Sequence, residues 1–384
     1  MKKLAIIGAS YFQEPLIRKA KLMGLETYVF AWAAGDVGET IADHFYPISI
    51  VEKEEILNKC REIGIDGICT IASDLAAITV NYVASEMGLV GNSMECTHIS
   101  TNKHAMREVF EVNGDPSPKS FQVTCTGDLA GKEYRYPVIV KPVDRSGSRG
   151  ITKLDAPDGL EDAIERAKEQ GFQKCALVEE FVTGQEYSVE CISVCGQHHF
   201  LALTKKYTTG APGFIETAHV QPALVEEALL EKIKAVTFHA LDSLKIKNGA
   251  SHTELKISED GTIKLIEIGG RMGGDFIGSD LVELSTGIDF VKAVIQIAMG
   301  ESPELNITQE HVAAVRFVFS QEDLAVLKKL ESEHLEYLLR KDVAQNCDGE
   351  VTDSSTRFGY FLFRAETYQE LERYLPEKKD GKLC

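Results

Sequence analysis

The chain has 384 residues, 44% hydrophobic and 26% charged, an ordinary globular composition with length for about two or three domains. Its 41 basic against 59 acidic residues give a formal net charge of −18, which argues against general binding to nucleic acid or to an anionic membrane. The nine cysteines show neither paired zinc spacing nor a disulfide framework, so a reduced, cytoplasmic protein is expected.

In chain order, LAIIGAS reads as a buried strand entering a tight turn. PLIRKAKLMGL, opened by Pro15 and stopped by Gly24, is an amphipathic helix; ETYVFAW, EEILNKCREIGI and DGICTIAS follow as strand, helix and strand. This alternation predicts a parallel sheet with helices on both faces. The loop GASYFQEP lacks G-x-G-x-x-G, and the second strand runs into Ala31 and Trp32 rather than a ribose-binding acid, so no dinucleotide site is expected. Loops at such strand ends hold small ligands, which makes Asp74 a candidate substrate contact. The other reading of Asp74 is a cap on the following helix.

A helix carrying Lys103 in its first turn ends near Gly114, and Pro116 and Pro118 mark a boundary. YPVIVKPVDRSGSRGITKL is a strand ending at Lys141, a glycine–serine loop and a second strand. Backbone N–H groups at Ser146, Gly147, Ser148 and Gly150 suit phosphate oxygens, with Lys141 as a point charge beside them. The plainer reading is a polar hairpin. In ALVEEFVTGQEYSVE a strand delivers Glu179, Glu180 and Val182 to a connection, and Glu186 enters the next strand. Backbone groups in such a hinge suit a purine edge, and a carboxylate suits ribose hydroxyls. Beyond about residue 190 the strands lengthen into an expected antiparallel sheet, with Cys191 and Cys195 in its core. TKKYTTGAPGFIETAHVQPA reads as a loop containing Glu216 and His219.

TELKI and IKLIEI form a hairpin about Asp260 and Gly261, which brings Glu254 and Glu267 close to facing each other. Like charges so placed are destabilising unless neutralised, and Mg2+, or Mn2+ in its place, would do so with oxygen ligands. Arg271 follows amid four glycines.

These segments, in this order, resemble the ATP-grasp superfamily of ligases, and similarity extends to the ATP-grasp domain of the carbamoyl phosphate synthase large subunit. The resemblance implies an α/β and α+β chain. A parallel pre-ATP-grasp domain (1–105) is followed by a small subdomain with a phosphate flap (106–185), a central sheet with the metal and substrate site (186–304), and a small C-terminal region packing on that core (305–384). It further implies that Lys103 and Lys141 contact ATP phosphates, that residues 146–150 form the flap, and that Glu179, Glu180 and Val182 line the adenine hinge. Glu186 matches the ribose carboxylate, and Glu254 and Glu267 match the metal acids. Arg271 would face the transferred phosphoryl group, with Gly273 and Gly274 leaving room for substrate and offering N–H groups. The 205–222 stretch resembles the substrate loop of the amino-acid-ligating branch, including dipeptide ligases. There His219 would approach the acyl phosphate, Glu216 the incoming amine, and Lys205 or Lys206 (the latter carried as the candidate) a phosphate. One departure stands out: the family commonly has asparagine two residues after the second metal glutamate, where this chain has Gly269.

The expected activity is ATP-dependent ligation of a small-molecule carboxylate to an amine through an acyl phosphate, with amino acids as substrates and a homodimer as the assembly. Bicarbonate activation is the alternative within the superfamily. A nucleotide-binding regulatory protein without turnover, suggested by Gly269, is the alternative outside it.

Overall fold

Strands β1 (Lys3–Ile7), β2 (Glu26–Phe30), β3 (His44–Tyr46) and β4 (Gly67–Cys69) pair in parallel in the order β3-β2-β1-β4, in a computed structural model that describes residues 1–145 and 149–376. KLAII and ETYVF are almost wholly buried because helices lie against both faces of a parallel sheet. The helix Glu14–Leu22 takes Pro15 in its first turn, where a missing N–H costs nothing, and buries Leu16, Ile17 and Ala20. The α/β expectation holds here.

A second sheet, β5 (Ser120–Val123), β6 (Val138–Pro142), β7 (Thr152–Leu154) and β8 (Ala176–Glu180), is antiparallel in the order β5-β8-β6-β7. The helix Leu160–Gln170 covers it, burying Leu160, Ala163, Ile164 and Ala167 at helical spacing.

The third sheet holds β9 (Gln185–Val194), β10 (Gln197–Thr208), β11 (Glu216–Gln221), β12 (Gly249–Ile257), β13 (Ile263–Gly269), β14 (Val312–Phe317), β15 (Leu338–Val343) and β16 (Gly359–Ala365), antiparallel in the order β13-β12-β9-β10-β11-β14-β16-β15. The C-terminal strands thus continue the central sheet through β11 and β14. Glu216 and His219 belong to a strand, not to a loop. The glycine–proline cluster marks only the turn at 209–215, while β11 is bonded on both sides. Cys195 is likewise exposed, at the turn between β9 and β10 with φ 51°, whereas Cys191 is buried.

Register decides what the central sheet presents. Glu254 pairs with Glu267 and with Ser188, Ser188 with Thr204, and Lys206 with His219, so these residues share one face. His252 and Lys256 on β12, and Glu186 and Glu190 on β9, point the same way. The other face carries Val189, Leu203, Leu255 and Leu265, packed against the helix Glu227–Ser243. Burying each such side chain contributes about 1.5–3 kcal/mol, enough to fix the register and hence the polar face. No helix among the described residues is long and apolar enough to cross a membrane.

Candidate active site

An open cleft of about 1140 Å³ separates the second sheet from the polar face of the central one. Lys103 opens the helix Lys103–Asn113, whose first turn is capped by the Asn102 side chain. Its Nζ reaches Glu267 Oε1 at 2.7 Å and the Arg145 carbonyl at 2.7 Å. Lys141, buried at the end of β6, pairs with Glu179. Burial pushes the Lys141 ammonium down, with Arg107 and Lys103 adding to the effect and Glu179 opposing it.

Sequence reasoning missed Arg107. Its Nε binds Glu179 Oε1 at 2.9 Å and its Nη2 the Ile266 carbonyl at 2.6 Å. Burial works against the Glu179 charge, but Arg107 and Lys141 outweigh it and bring the carboxyl to about 2. Glu179 therefore serves as an anion between two buried cations and is not an open hinge contact. Glu180 and Val182 line the cleft; the N–H of Glu180 is used by the Lys119 carbonyl, and that of Phe181 by Pro137. Of the flap, Ser146, Gly147 and Ser148 lie outside the described residues. Gly150 packs toward Gln170 and Pro142, and its neighbours Arg149 and Ile151 face the cleft.

Lys206 is the hub of the polar face. Its buried Nζ lies 2.5 Å from Glu254, 3.2 Å from Glu186 and 3.7 Å from Glu216. Burial opposes its charge, but the three carboxylates win and hold its pKa well above the ordinary lysine value. Glu254 moves oppositely: against burial, Lys206 and His252 hold it well below the usual carboxylate range. Glu216 is raised by burial first and then by Asp275 and Glu254, with Lys206 opposing.

The expected conflict between Glu254 and Glu267 is real, and a lysine on each, Lys206 and Lys103, relieves it. Among the described residues no group of three or more His, Cys, Asp or Glu side chains is placed to hold a metal. Two facing carboxylates still fit Mg2+, which takes one or two protein carboxylates and completes its shell with phosphate and water. They do not fit a metal caged by protein alone.

Arg271 leaves β13 and crosses to the N-terminal domain, with Nε 2.8 Å from Asp74 Oδ1 and Nη2 3.0 Å from Oδ2. Asp74 is therefore neither open to substrate nor the helix cap, a role taken by Ser73. This contact also explains Gly269. A Cβ there would sit 2.9 Å from Asp74 Oδ1 and 3.1 Å from Arg271 Nε. Gly269→Asn is expected to displace the pair and cost about 1–3 kcal/mol, as overpacking does. Denaturant titration reads this, and stability equal to the parent protein would show that the pair yields freely.

The next two glycines differ from each other. At Gly273 a Cβ would come within 2.6 Å of His252 Nδ1, and the Gly273 N–H donates to Glu190 Oε2 at 3.0 Å. Its space and its donor are thus used by the protein, not by a substrate. The fully buried Glu190 also pairs with His252 Nδ1, while His252 Nε2 lies 3.4 Å from Glu254. Burial disfavours the imidazolium, but Glu190 and Glu254 raise His252 to about 9. Neither Glu190 nor His252 was foreseen.

A second, solvent-open cavity, about 1620 Å³ with its open mouth included, adjoins the first and shares Arg149, Lys206, Glu216, His252, Glu254 and Arg271 with it. His219 lines it, buried, with both ring nitrogens lacking a protein partner and its ring edge-on to Phe317. Burial, then Lys206 and Arg357, keep His219 well below the ordinary histidine value and hence neutral. A phosphate beside it would act in the opposite direction. The far wall comes from the C-terminal strands. Arg357 stacks 3.7 Å from the Phe317 ring centroid and binds both Asp275 oxygens at 2.9 Å. Asp275 and Phe276 have φ of 48° and 67°, an unusual backbone for two non-glycine residues in succession, and Arg357 clamps it.

Residues 134–280 match the ATP-grasp domain family. The matched residues make up less than half of the chain and carry its similarity to the ATP-grasp superfamily. It is 28% identical over 274 residues to the alanine–anticapsin ligase of Bacillus subtilis (strain 168), covering 62% of this chain and 58% of that one. It is 30% identical over 244 residues to dapdiamide A synthase of Enterobacter agglomerans, covering 56% of each. The chain thus spans less than two thirds of the length of these curated relatives. The crystal structure of an L-amino acid ligase from Bacillus licheniformis has the same fold, with a TM-score of 0.83, 24% identity, and coverage of 97% of this chain and 96% of that one.

Proposed function

We propose that this protein is an ATP-grasp ligase, joining a carboxylate to an amine with ATP, acting on amino acids and forming an amide-type bond through an acyl phosphate. The observation that carries this is the junction of two cavities, one walled by Lys103, Lys141 and the facing Glu254 and Glu267, the other by His219 and the aromatic rings, at Lys206, Glu216, Glu254 and Arg271.

ATP lies between the second and central sheets, with Lys103 and Lys141 on its phosphates and Glu186 toward the ribose. Glu254 and Glu267 would hold Mg2+, which supplies neutralisation of phosphate charge. A substrate carboxylate oxygen attacks the γ-phosphorus, the bond to the β–γ bridging oxygen breaks, and ADP leaves. The amine nitrogen then attacks the acyl carbon, phosphate departs, and the amine gives up a proton. Glu216, whose raised pKa makes it a better base than an ordinary carboxylate, takes that proton. Neutral His219 donates a hydrogen bond to the acyl phosphate. Arg271 stabilises the charge that develops on the transferred phosphoryl group. Free thiols at all eight cysteines among the described residues support a cytoplasmic setting.

ADP release from ATP and Mg2+ is to be measured against amino acids singly and in pairs, and against bicarbonate. Stimulation by pairs is the expected result. Stimulation by bicarbonate alone would replace this reading with carboxylation. Silence with tight ATP binding would replace it with nucleotide sensing, although Gly269 no longer argues for that, since the Arg271 contact to Asp74 accounts for it.

A further inference from the structure

The second cavity has a wall that the chemistry above leaves unused. Tyr11 and Phe12, ring centroids 4.0 Å apart, project from the turn after β1. That turn is fixed by the buried Gln13, which donates to the Ile71 carbonyl at 2.8 Å and accepts from Ser10 Oγ at 2.8 Å. Tyr11 is nevertheless 52% exposed, and a large ring held open at a cavity wall on a rigid turn is a ligand surface. Phe276 and Tyr360, centroids 4.2 Å apart, line the same cavity.

The charged groups nearby are largely matched within the protein. Asp275 is bound by Arg357, Asp353 accepts from Ser355, and Arg340 bonds Asp280 while lying over Phe276 and Tyr360. Asp342, exposed, also lines the cavity.

Gly274 lines this cavity beside Phe12. Its backbone is outside the left-handed region, so no conformational demand calls for glycine. A Cβ there would meet only Ala72 Cβ at 3.5 Å and Phe12 Cε1 at 3.7 Å, ordinary contact distances. What the missing side chain provides is volume between Ala72 and Phe12.

We infer that this wall is a side-chain subsite: one amino acid substrate carries a bulky apolar or aromatic side chain that lies between the Tyr11 and Phe12 rings and those of Phe276 and Tyr360, with Gly274 setting its size. The inference rests on the ligase reading and adds the substrate class.

The test varies one amino acid (alanine, leucine, methionine, phenylalanine, lysine, aspartate) against a fixed partner and follows ADP release. The parent protein is expected to favour phenylalanine or leucine over alanine in kcat/KM by about tenfold or more, the discrimination an apolar pocket achieves. In Gly274→Val, and in Tyr11→Ala, where a half-exposed ring is removed without opening the core, the ratio of phenylalanine to alanine is expected to fall about tenfold. An unchanged ratio in both variants, or a parent preference for lysine or aspartate, would overturn the subsite while leaving the ligase intact. If no amino acid stimulates ADP release, the ligase reading fails. Calorimetric titration of phenylalanine into protein saturated with ADP and Mg2+ then reads the subsite alone. Binding weakened about tenfold in Gly274→Val supports it, and no binding to the parent protein overturns it.

Discussion

Lys206→Met is expected to destabilise the protein by about 3–5 kcal/mol at neutral pH, the scale for leaving a buried charge network without its counter-ion. Lys206 is 3% exposed and is the common cation of Glu254, Glu186 and Glu216. The pH dependence identifies the cause. In the parent protein the depressed pKa of Glu254 contributes stability that is present above the unfolded value of about 4.3 and is lost as pH falls through the folded value. Without the lysine the clustered carboxyls rise above their unfolded values. Their contribution then becomes a penalty that is absent below about pH 4.3 and grows as pH rises. The stability gap between the two proteins should therefore narrow from pH 7.5 to pH 5, and added Mg2+ should recover part of it. Urea denaturation at the two pH values measures this. A gap under about 1 kcal/mol, or one indifferent to pH, would show that Lys206 does not neutralise the site.

Arg271→Ala should lower kcat by about 10³, in line with removing a preorganised cation from a phosphoryl-transfer site, while ATP still binds. On the proposed reading the phosphates would have Lys103 and Lys141 in the cleft, and Arg271 is already matched by Asp74. Arg271→Lys keeps the charge but not the two-pronged contact, so a smaller loss of about 10–100-fold is expected. Asp74→Asn separates the roles: it keeps the arginine and one acceptor oxygen and removes the charge and the second acceptor that orient the guanidinium. Single-turnover formation of acyl phosphate, measured beside nucleotide affinity, distinguishes these cases. Activity of Arg271→Ala within about tenfold of the parent would reduce Arg271 to a structural tie between domains.

What could be read from sequence was local. The hairpin about Asp260 and Gly261 and the two-residue strand period were enough to set Glu254 opposite Glu267. The partner of Arg271 was not readable, because Asp74 is 197 positions away and only packing of the two domains brings them together. Glu190 was readable and missed. It is an acid flanked directly by Val189 and Cys191 in a strand, but the cysteines at 191 and 195 suggested plain core. His252 was also within reach, since it lies two residues from Glu254 and so on the same face. Placing Glu216 and His219 in a loop came from letting glycine and proline speak for the residues after the turn. Arg107 carried no signal, since a charged residue on an amphipathic helix ordinarily faces water.

The strand order also sets a sequence of events during synthesis. Lys103, Lys141, Glu179, Lys206, Glu254 and Glu267 all emerge from the ribosome before β14 exists. The chain at that stage holds the residues proposed here to bind the nucleotide, and β11, with Glu216 and His219, is an unpaired edge. ATP or ADP bound to this unfinished protein would stabilise it by mass action while the open edge is most vulnerable to misassociation. The second cavity is walled only after Phe317, Arg357 and Tyr360 arrive, so on the proposed reading the cell's nucleotide pool would act as a folding aid before the site is complete.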